Sequence, residues 1–196
     1  MTSATAADLP RCFWAAEDDP AMARYHDEEW GVETRDAGEL FERLVLECFQ
    51  AGLSWSTILR KRDPFRRAFD GFDPAIVAGY GADDVARLMA DAGIVRNRAK
   101  IEATIGNAGA FLALDATTVG GFAGYLDRFL PPPPARRPAD ATMTDLPGST
   151  PTAKALSDDL RARGFRFVGP TIVYAFLQSV GRVDDHLPGC FRYRGP

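Results

Sequence analysis

Residues 36–51 read DAGELFERLVLECFQA, and the spacing of the apolar side chains in this stretch predicts an amphipathic α-helix. The apolar positions recur every three or four residues and are Leu40, Phe41, Leu44, Val45 and Cys48. Asp36 suits the N-cap, because its carboxylate can accept hydrogen bonds from the free N–H groups of the first turn. We therefore predict a helix that buries one face in a core.

Glu47 belongs to the buried face of this predicted helix. At about 100° per residue, it falls between Leu40 and Leu44 on the apolar stripe, whereas Glu39 and Glu42 fall elsewhere. A carboxylate buried there without a partner costs several kcal/mol. Glu47 is therefore either paired with an arginine or retained for function, and the sequence alone leaves both open.

Aromatic side chains are concentrated near this helix in the sequence. The group includes all three tryptophans and consists of Trp14, Tyr25, Trp30 and Trp55. Tryptophans pack in cores more often than they line binding sites. A carboxylate surrounded by aromatic faces also suits a flat cationic ligand, through stacking and cation–π attraction.

The other helix signals extend along the whole chain and predict an all-α fold. Helices are expected at residues 54–69, from Asp73-Pro74 onward, and at 82–92, 97–114, 149–163 and 170–180. Gly93 and Gly164 each follow a predicted helix and suit its left-handed C-terminal position. No Val-, Ile- or Thr-rich segment alternates as a strand does. Four consecutive prolines open residues 131–151, which we expect to be an extended loop.

Size and composition indicate one domain. The chain has 196 residues, of which 46% are hydrophobic, enough for a single core over residues 11–196 preceded by a flexible tail at residues 1–10. No segment approaches the roughly 20 apolar residues of a membrane span, and no secretion signal is evident. We expect a cytoplasmic monomer. Three cysteines suggest free thiols or metal ligands rather than disulfides.

The net charge of −4 argues against an extensive nucleic-acid surface, because phosphate contacts come from Lys and Arg. Any such surface must be local. Two basic clusters qualify, one of Arg60, Lys61, Arg62, Arg66 and Arg67 and one of Arg96, Arg98 and Lys100. Clusters of this kind are usually only solvated faces, so the sequence does not decide between the two readings.

Both histidines of the chain have a cysteine nearby in the sequence. Cys12 precedes His26 by fourteen residues, and Cys190 follows His186 by four. Thiolate and imidazole are preferred zinc ligands, and four of them close a structural site that could join the two chain ends. The spacing is not that of a zinc finger. Two surface histidines and two core cysteines remain the alternative.

The chain resembles the bacterial 3-methyladenine DNA glycosylase I family, within the helix-hairpin-helix glycosylase superfamily. The matching blocks, in chain order, are Arg11-Cys12 with Trp14, Tyr25-His26-Asp27 with Glu29-Trp30-Gly31-Val32, Leu46-Glu47 with Gln50-Ala51-Gly52-Leu53-Ser54-Trp55, Asp91-Ala92-Gly93-Ile94, Ile105-Gly106-Asn107-Ala108, Gly164-Phe165 with Phe167-Val168-Gly169, and Asp185-His186 with Gly189-Cys190. The resemblance covers about residues 11–193. Seven blocks in the same order make coincidence very improbable.

The resemblance implies a structural zinc ion and a base pocket. The family's metal ligands fall on Cys12, His26, His186 and Cys190. Its base-recognising carboxylate falls on Glu47, which we expect to be the catalytic residue, and its aromatic pocket residues fall on Trp14, Tyr25 and Trp55. By this analogy Tyr25 and Trp55 would sandwich a flipped base, and an ionised Glu47 would accept hydrogen bonds from its edge.

The resemblance also implies DNA contacts at a hairpin within residues 91–101. The backbone near Gly93 would hold a phosphate, and Arg96, Arg98 or Lys100 would add positive charge. Such a grip needs no basic surface overall. The family does not use a catalytic aspartate after the hairpin, so we expect Asp115 to be an ordinary loop residue.

Three positions depart from the family pattern. Val95 stands where many superfamily hairpins have a second glycine, Met22 replaces a pocket tyrosine, and Phe49 replaces a polar residue. These departures affect details of the phosphate contact and the pocket wall.

The leading hypothesis is a monofunctional glycosylase that removes 3-methyladenine from alkylated double-stranded DNA in base excision repair. No lysine matches a lyase position, so the strand would stay uncut. The first alternative is a zinc-containing module that binds DNA lesions without turnover. The second is a regulatory zinc protein without a DNA partner. Release of free base separates the first hypothesis from the others.

Overall fold

The secondary structure of the computed structural model, which describes residues 9–15 and 19–195, is helical without strands in those ranges. The α-helices are α1 (Pro20–Glu28), α2 (Ala37–Gln50), α3 (Trp55–Arg60), α4 (Arg62–Ala68), α5 (Pro74–Ala78), α6 (Ala82–Ala90), α7 (Arg98–Thr117), α8 (Gly121–Asp127), α9 (Pro151–Ala162) and α10 (Pro170–Ser179). Single 3₁₀ turns lie at Asp70–Phe72 and Met143–Asp145. The predicted all-α fold is confirmed.

Helix α2 is the centre of the fold, as its apolar pattern predicts. Asp36 caps it by accepting a hydrogen bond of 2.9 Å from the Glu39 N–H. The helix packs against α7, α8 and α10. Phe41 on α2 contacts Phe111 on α7 at 5.3 Å between ring centroids, and Phe111 in turn stacks on Phe122 of α8 at 4.3 Å. Burial of these rings supplies much of the apolar area that stabilises the core.

The helix predicted at residues 54–69 is interrupted at Lys61. This residue leaves helical geometry (φ −97°, ψ 0°) and separates α3 from α4. Its ammonium group donates to the carbonyl oxygens of Ala92 and Gly93 at 3.2 and 3.0 Å. The break therefore fixes the hairpin before α7 against the α3–α4 corner.

Gly93 does not occupy the left-handed position that we predicted. Helix α6 ends at Ala90, its C-cap is the extended residue Asp91 (φ −76°, ψ 108°), and Gly93 is absent from the residues with positive φ. Close packing explains this glycine instead, because a Cβ here would lie 2.9 Å from Asp91 Oδ1 and 3.1 Å from Pro64 Cβ. The prediction for Gly164 is confirmed, since it follows α9 with φ +93°.

Asp115 lies inside α7, which runs farther than predicted, and not in a loop. Its Oδ1 accepts a hydrogen bond of 2.7 Å from the Phe122 N–H in the first turn of α8. Gly121 precedes that residue with φ +64°, and a Cβ there would lie 2.5 Å from the same oxygen. Asp115 therefore anchors the start of α8, a helix that the sequence pattern did not reveal.

The two ends of the chain and the proline-rich loop complete the fold. The predicted tail is only partly visible, because Met1–Asp8 lie outside the described residues, but the Pro10 carbonyl accepts a hydrogen bond of 2.8 Å from the Phe191 N–H. Residues 131–150 form the predicted extended loop, apart from the turn at Met143–Asp145. In the described part of the chain, no helix has both the length and the apolarity of a membrane span.

Candidate active site

A cavity of about 300 Å³ opens beside the C-terminal end of α2. Its walls also come from α1, from the first turn of α3 and from α10. The lining residues are Phe13, Trp14, Met22, Tyr25, Trp30, Glu47, Gln50, Trp55, Leu146, Ala175 and Gln178. The structure therefore brings together all four side chains expected to contact a base.

Among the described lining residues, Glu47 is the one that is acidic. Its side chain is buried, with 4% of the residue exposed. Burial disfavours the charged form and raises the pKa of Glu47 from its ordinary value to about 8. Across residues 9–15 and 19–195, no arginine, lysine or hydrogen-bond donor pairs with it, and burial alone accounts for the raised pKa. The arginine-paired alternative is therefore wrong for Glu47.

The arginine-paired carboxylate of α2 is Glu42. It lies on a different face from Glu47 and is nevertheless buried. The Nε atoms of Arg62 and Arg66 lie 2.6 and 2.9 Å from its Oε1, and Arg62 also binds Glu29 at 2.7 Å. Two of the five residues in the first basic cluster are thus neutralised by carboxylates, which favours the reading of that cluster as structural.

The aromatic walls adjoin one another rather than forming parallel plates. The Tyr25 and Trp55 rings are 5.1 Å apart between centroids with an interplanar angle of 53°, the geometry of two rings in direct contact. The sandwich expected from these two residues is therefore absent in this conformation. Trp14 continues the wall, 6.2 Å from Tyr25. Burial, and then the nearby Glu47, raise the pKa of Tyr25, so its hydroxyl keeps its proton.

A possible metal site lies on the far side of this wall. The ligand atoms of Cys12, His26 and Cys190 all lie within 4.8 Å of one another, and the Cys190 sulfur is 3.3 Å from His26 Nε2. Asp27 Oδ1 lies 2.8 Å from His26 Nδ1, which leaves Nε2 directed at the thiols. A hydrogen bond from the Cys12 thiol, the largest effect, lowers the pKa of Cys190, so one thiolate is available.

His186 is adjacent to this three-residue group. Its ring centroid lies 5.1 Å from that of His26. Asp184 Oδ1 is 2.8 Å from its Nδ1, and its buried Nε2 has no hydrogen-bond partner in the described part of the chain. Metal-bound histidines commonly hold a carboxylate on the second ring nitrogen in this way. Both histidines therefore hold a carboxylate on Nδ1, His26 directs Nε2 at the Cys190 sulfur, and the donor set of two thiols and two imidazoles fits zinc.

Trp30 connects the cavity to the candidate metal site, which is formed by Cys12, His26, His186 and Cys190. Its ring lies 4.6 Å from that of His186 and 4.9 Å from that of Trp14. The same residue lines the cavity. The cysteine and histidine side chains of this candidate site therefore lie directly behind one wall of the pocket.

Lys100 does not belong to a DNA-binding surface, contrary to our expectation. It is 6% exposed, and its ammonium group donates to the carbonyl oxygens of Phe49 and Ala51 at 2.8 and 2.7 Å. These carbonyls belong to the C-terminal end of α2, where a cation is favourable. Lys100 therefore fixes the end of the helix that carries Glu47.

The rest of the hairpin keeps its expected exposure. Arg96 and Arg98 are exposed, and Arg98 makes a solvent-accessible contact of 3.6 Å with Glu102. Asn97 caps α7 by accepting from the Lys100 N–H at 3.2 Å. The exposed guanidinium groups of Arg96 and Arg98 can therefore reach a ligand, whereas the Gly93 N–H and carbonyl are bonded to Asp91 and Lys61.

Five lining residues of the cavity were not assigned to a base pocket from the sequence. They are Phe13, Gln50, Leu146, Ala175 and Gln178. Phe13 and Gln50 lie one and three residues from Trp14 and Glu47, so proximity in sequence could have indicated them. The other three come from distant segments, and only the tertiary fold brings them to the cavity.

Comparison with known proteins gives consistent matches over nearly the whole chain. The family model described as methyladenine glycosylase matches residues 14–193. DNA-3-methyladenine glycosylase 1 of Escherichia coli is 46% identical over 187 residues, covering 95% of this chain and 98% of that protein. A crystal structure of 3-methyladenine DNA glycosylase I aligns with a TM-score of 0.88 at 45% identity, covering 94% of this chain and all of the other.

A third match concerns ligand recognition. The structure reported for 3-methyladenine recognition by 3-methyladenine DNA glycosylase I from Staphylococcus aureus aligns with a TM-score of 0.85 at 36% identity. The alignment covers 91% of this chain and 94% of that chain. The similarity therefore includes proteins whose base recognition has been studied structurally.

Proposed function

Because the chain belongs to the methyladenine glycosylase family, we propose that it hydrolyses the bond between 3-methyladenine and deoxyribose in alkylated DNA. The main support from the molecule itself is Glu47, a buried carboxyl in an aromatic cavity that has no partner among the described residues. A cavity of about 300 Å³ is at the lower end of the range for small-molecule sites and suits one purine.

Charge provides the selectivity between damaged and normal bases. With a pKa of about 8, Glu47 is mostly protonated at neutral pH in the empty pocket. A purine made cationic by methylation favours the ionised carboxylate and is also attracted by the faces of Trp14 and Trp55. Neutral adenine gains neither interaction. The pocket therefore binds the positively charged damaged base more tightly than neutral adenine.

The positive charge of the methylated base also makes it a good leaving group. When the glycosidic bond breaks, its electron pair moves onto the cationic base, which leaves as neutral 3-methyladenine. Water supplies oxygen to the sugar carbon and releases a proton. No lysine is present in the described lining, and both Lys61 and Lys100 are bound to carbonyl groups. We therefore propose simple hydrolysis that leaves an abasic site and an intact strand.

Zinc is the proposed occupant of the cysteine and histidine group. Cys12, His26, His186 and Cys190 would hold it, and its role would be to join the chain ends without taking part in hydrolysis. The bound ion would also fix the His186 ring, on which Trp30 packs.

Double-stranded DNA is the proposed partner, held at the hairpin before α7. Backbone near Gly93 and the exposed Arg96 and Arg98 are the proposed phosphate contacts, and Lys100 is excluded by its burial. The cytoplasmic location and monomeric state stay predictions.

Chromatography of the purines released from methylated duplex DNA tests the proposed function. We expect free 3-methyladenine from the methylated duplex and none from an unmodified duplex. Retention of methylated DNA without base release would instead support the lesion-binding alternative. Failure both to release base and to retain DNA would support the regulatory zinc protein.

Trp55→Ala should weaken base recognition because it removes a stacking surface. Stacking on an aromatic ring contributes about 1 to 3 kcal/mol per base in single-strand binding, so kcat/KM should fall roughly 5- to 150-fold. Steady-state kinetics on methylated duplex measures the effect. Trp55→Phe is the matched control and should retain most of the activity, because it keeps an aromatic face. Equal activity of the alanine variant and wild type would rule out stacking on Trp55.

The pH profile should report the ionisation of Glu47 in the free enzyme. Because the cationic base pairs with the ionised form, kcat/KM should rise about tenfold per pH unit and level off near the pKa of about 8. The measurement is single-turnover excision over a pH series, with enzyme in excess over the DNA but below the concentration that saturates it. A rate independent of pH below 8 would contradict the proposed charge pairing.

A further inference from the structure

The proline-rich loop between α8 and α9 supplies one residue to the base cavity. Leu146 is half-buried and lines the cavity together with residues from the N-terminal part of the chain and from α10. It is the one described lining residue from this loop, whose function the sequence left open. Leu146 is aliphatic, whereas most of the wall is aromatic or amide-bearing.

A clamp at Arg137 fixes the first half of the loop. Its Nε and Nη2 lie 2.7 and 2.6 Å from Asp185 Oδ1, a carboxylate that is only 1% exposed. The Arg137 carbonyl oxygen accepts a hydrogen bond of 2.9 Å from the Tyr193 hydroxyl. Both nitrogens bind the same carboxylate oxygen, and such charge-assisted hydrogen bonds are stronger than those between neutral groups. The loop is therefore held against the body of the protein before it reaches the cavity.

A local turn then sets the position of Leu146. Asp145 Oδ2 accepts from the Thr142 N–H at 2.8 Å and from its hydroxyl at 2.7 Å. The Leu146 N–H donates to the Met143 carbonyl at 3.2 Å. Farther on, Thr150 caps α9. The hydrogen-bonded turn therefore fixes the backbone at Leu146. The loop is anchored on both sides of it, at Arg137 and at Thr150.

Asp185 also connects the clamp to the cavity wall. Its Oδ2 accepts a hydrogen bond of 2.6 Å from Nε2 of Gln178, which is itself a lining residue. The hydroxyl of Tyr174 donates to the same oxygen. One buried carboxylate therefore orients the loop and a polar part of the pocket together.

We propose that Leu146 is a base-contact residue and that the loop forms a separate wall of the pocket. This inference rests on the proposed function. The leucine side chain offers dispersion contacts and excludes water, but provides no partner for a polar group. A base with a donor or acceptor facing this wall would bury that polar group without a hydrogen-bond partner. Such a base should therefore bind more weakly than one with an apolar edge at the same place. Leu146 thus contributes to both affinity and choice of base.

The test compares Leu146→Ala with Met143→Ala. Met143 lies in the adjacent turn, is 49% exposed and does not line the cavity, so it is the matched control. For both variants we would measure binding of free 3-methyladenine, single-turnover excision from methylated duplex, and the thermal midpoint. Leu146→Ala should weaken base binding and slow excision about tenfold each. Met143→Ala should match wild type, and Leu146→Met, which preserves volume, should retain most activity.

The controls separate this inference from the proposed function. If Leu146→Ala binds and excises like wild type while Trp55→Ala is impaired, the loop wall is refuted and the glycosylase function stands. Equal losses in Leu146→Ala and Met143→Ala would also refute it, because the effect would then belong to the loop as a whole. Absence of base release by wild type would instead refute the proposed function.

Discussion

Glu47→Gln should lose at least about 100-fold in excision of 3-methyladenine and, at the same time, unfold at a higher temperature than wild type. The loss of activity follows from charge, because a neutral amide of the same size cannot pair with a cationic base. Removing one member of a buried charge pair costs about 2 to 5 kcal/mol. A 100-fold decrease corresponds to about 2.7 kcal/mol and lies within that range.

The gain in stability follows from the raised pKa of Glu47. The unfolded carboxyl ionises near its ordinary pKa of 4.5, whereas the folded one keeps its proton up to about pH 8. Between these values the folded state binds more protons, so its stability falls by about 1.4 kcal/mol for each unit of rising pH. Glutamine does not titrate. The advantage of the variant should therefore grow from pH 4.5 and become constant above pH 8.

Thermal denaturation of both proteins at several pH values, with excision measured on the same samples, checks both effects. Glu42→Gln is the contrasting variant on the same helix. Glu42 is held by Arg62 and Arg66, so a neutral amide there loses charge-assisted hydrogen bonds to both guanidinium groups. Arg62 keeps its second partner Glu29, and we expect Glu42→Gln to destabilise the fold. A Glu47→Gln variant that melts like wild type at every pH would contradict the unpaired, desolvated state of this carboxyl.

The inward direction of Glu47 was predictable because it depends on local periodicity. Once residues 36–51 form a helix, Leu40 and Leu44 determine which face is buried, and position 47 follows. The burial of Glu42 was not predictable in this way. It depends on Arg62 and Arg66, which the break at Lys61 and the turn into α4 bring over another face of α2.

Lys100 illustrates the same limit for a cation. In the sequence it stands in a basic run beside a hairpin, a pattern typical of an exposed phosphate contact. In the structure its partners are the carbonyls of Phe49 and Ala51, about fifty residues earlier in the chain. The C-terminal end of a helix attracts a cation, but a sequence does not show which cation reaches it. Likewise, nothing local to Leu146 indicates that it reaches the cavity.

The start of α1, in contrast, has a local signal in the sequence. Asp19 accepts hydrogen bonds from the N–H groups of Ala21 and Met22 at 3.2 and 3.3 Å, and Pro20 occupies the first helical position. Both features favour a helix start. The helix is short and has few apolar residues, so periodicity alone did not reveal it.

Cys190→Ser should lower both the zinc content and the melting temperature of the protein. If zinc is bound as proposed, its ligands join residues near both chain ends, and the free energy of binding stabilises the folded state. Structural zinc in small peptides contributes about 10 kcal/mol or more. Loss of one ligand should therefore cost several kcal/mol of unfolding free energy. Metal analysis by mass spectrometry and thermal denaturation measure the two effects.

Cys48→Ala provides the matched control for loss of a thiol. Cys48 is also buried, but it lies outside the candidate metal site. Its sulfur is 4.0 Å from the Arg166 carbonyl oxygen. We expect this variant to keep its zinc and to lose only the packing energy of one small side chain. A Cys190→Ser protein with full zinc content and unchanged melting would exclude Cys190 as a ligand. Zinc loss in Cys48→Ala alone would place the ion elsewhere.

The same experiment tests whether the metal supports the pocket. Trp30 packs on His186 and on Trp14, so release of the ion should loosen one aromatic wall before the core around α2 unfolds. In Cys190→Ser, affinity for free 3-methyladenine should therefore fall at temperatures where circular dichroism still shows a fully helical protein. If base affinity and helicity decline together, the metal stabilises the whole fold and has no separate effect on the pocket.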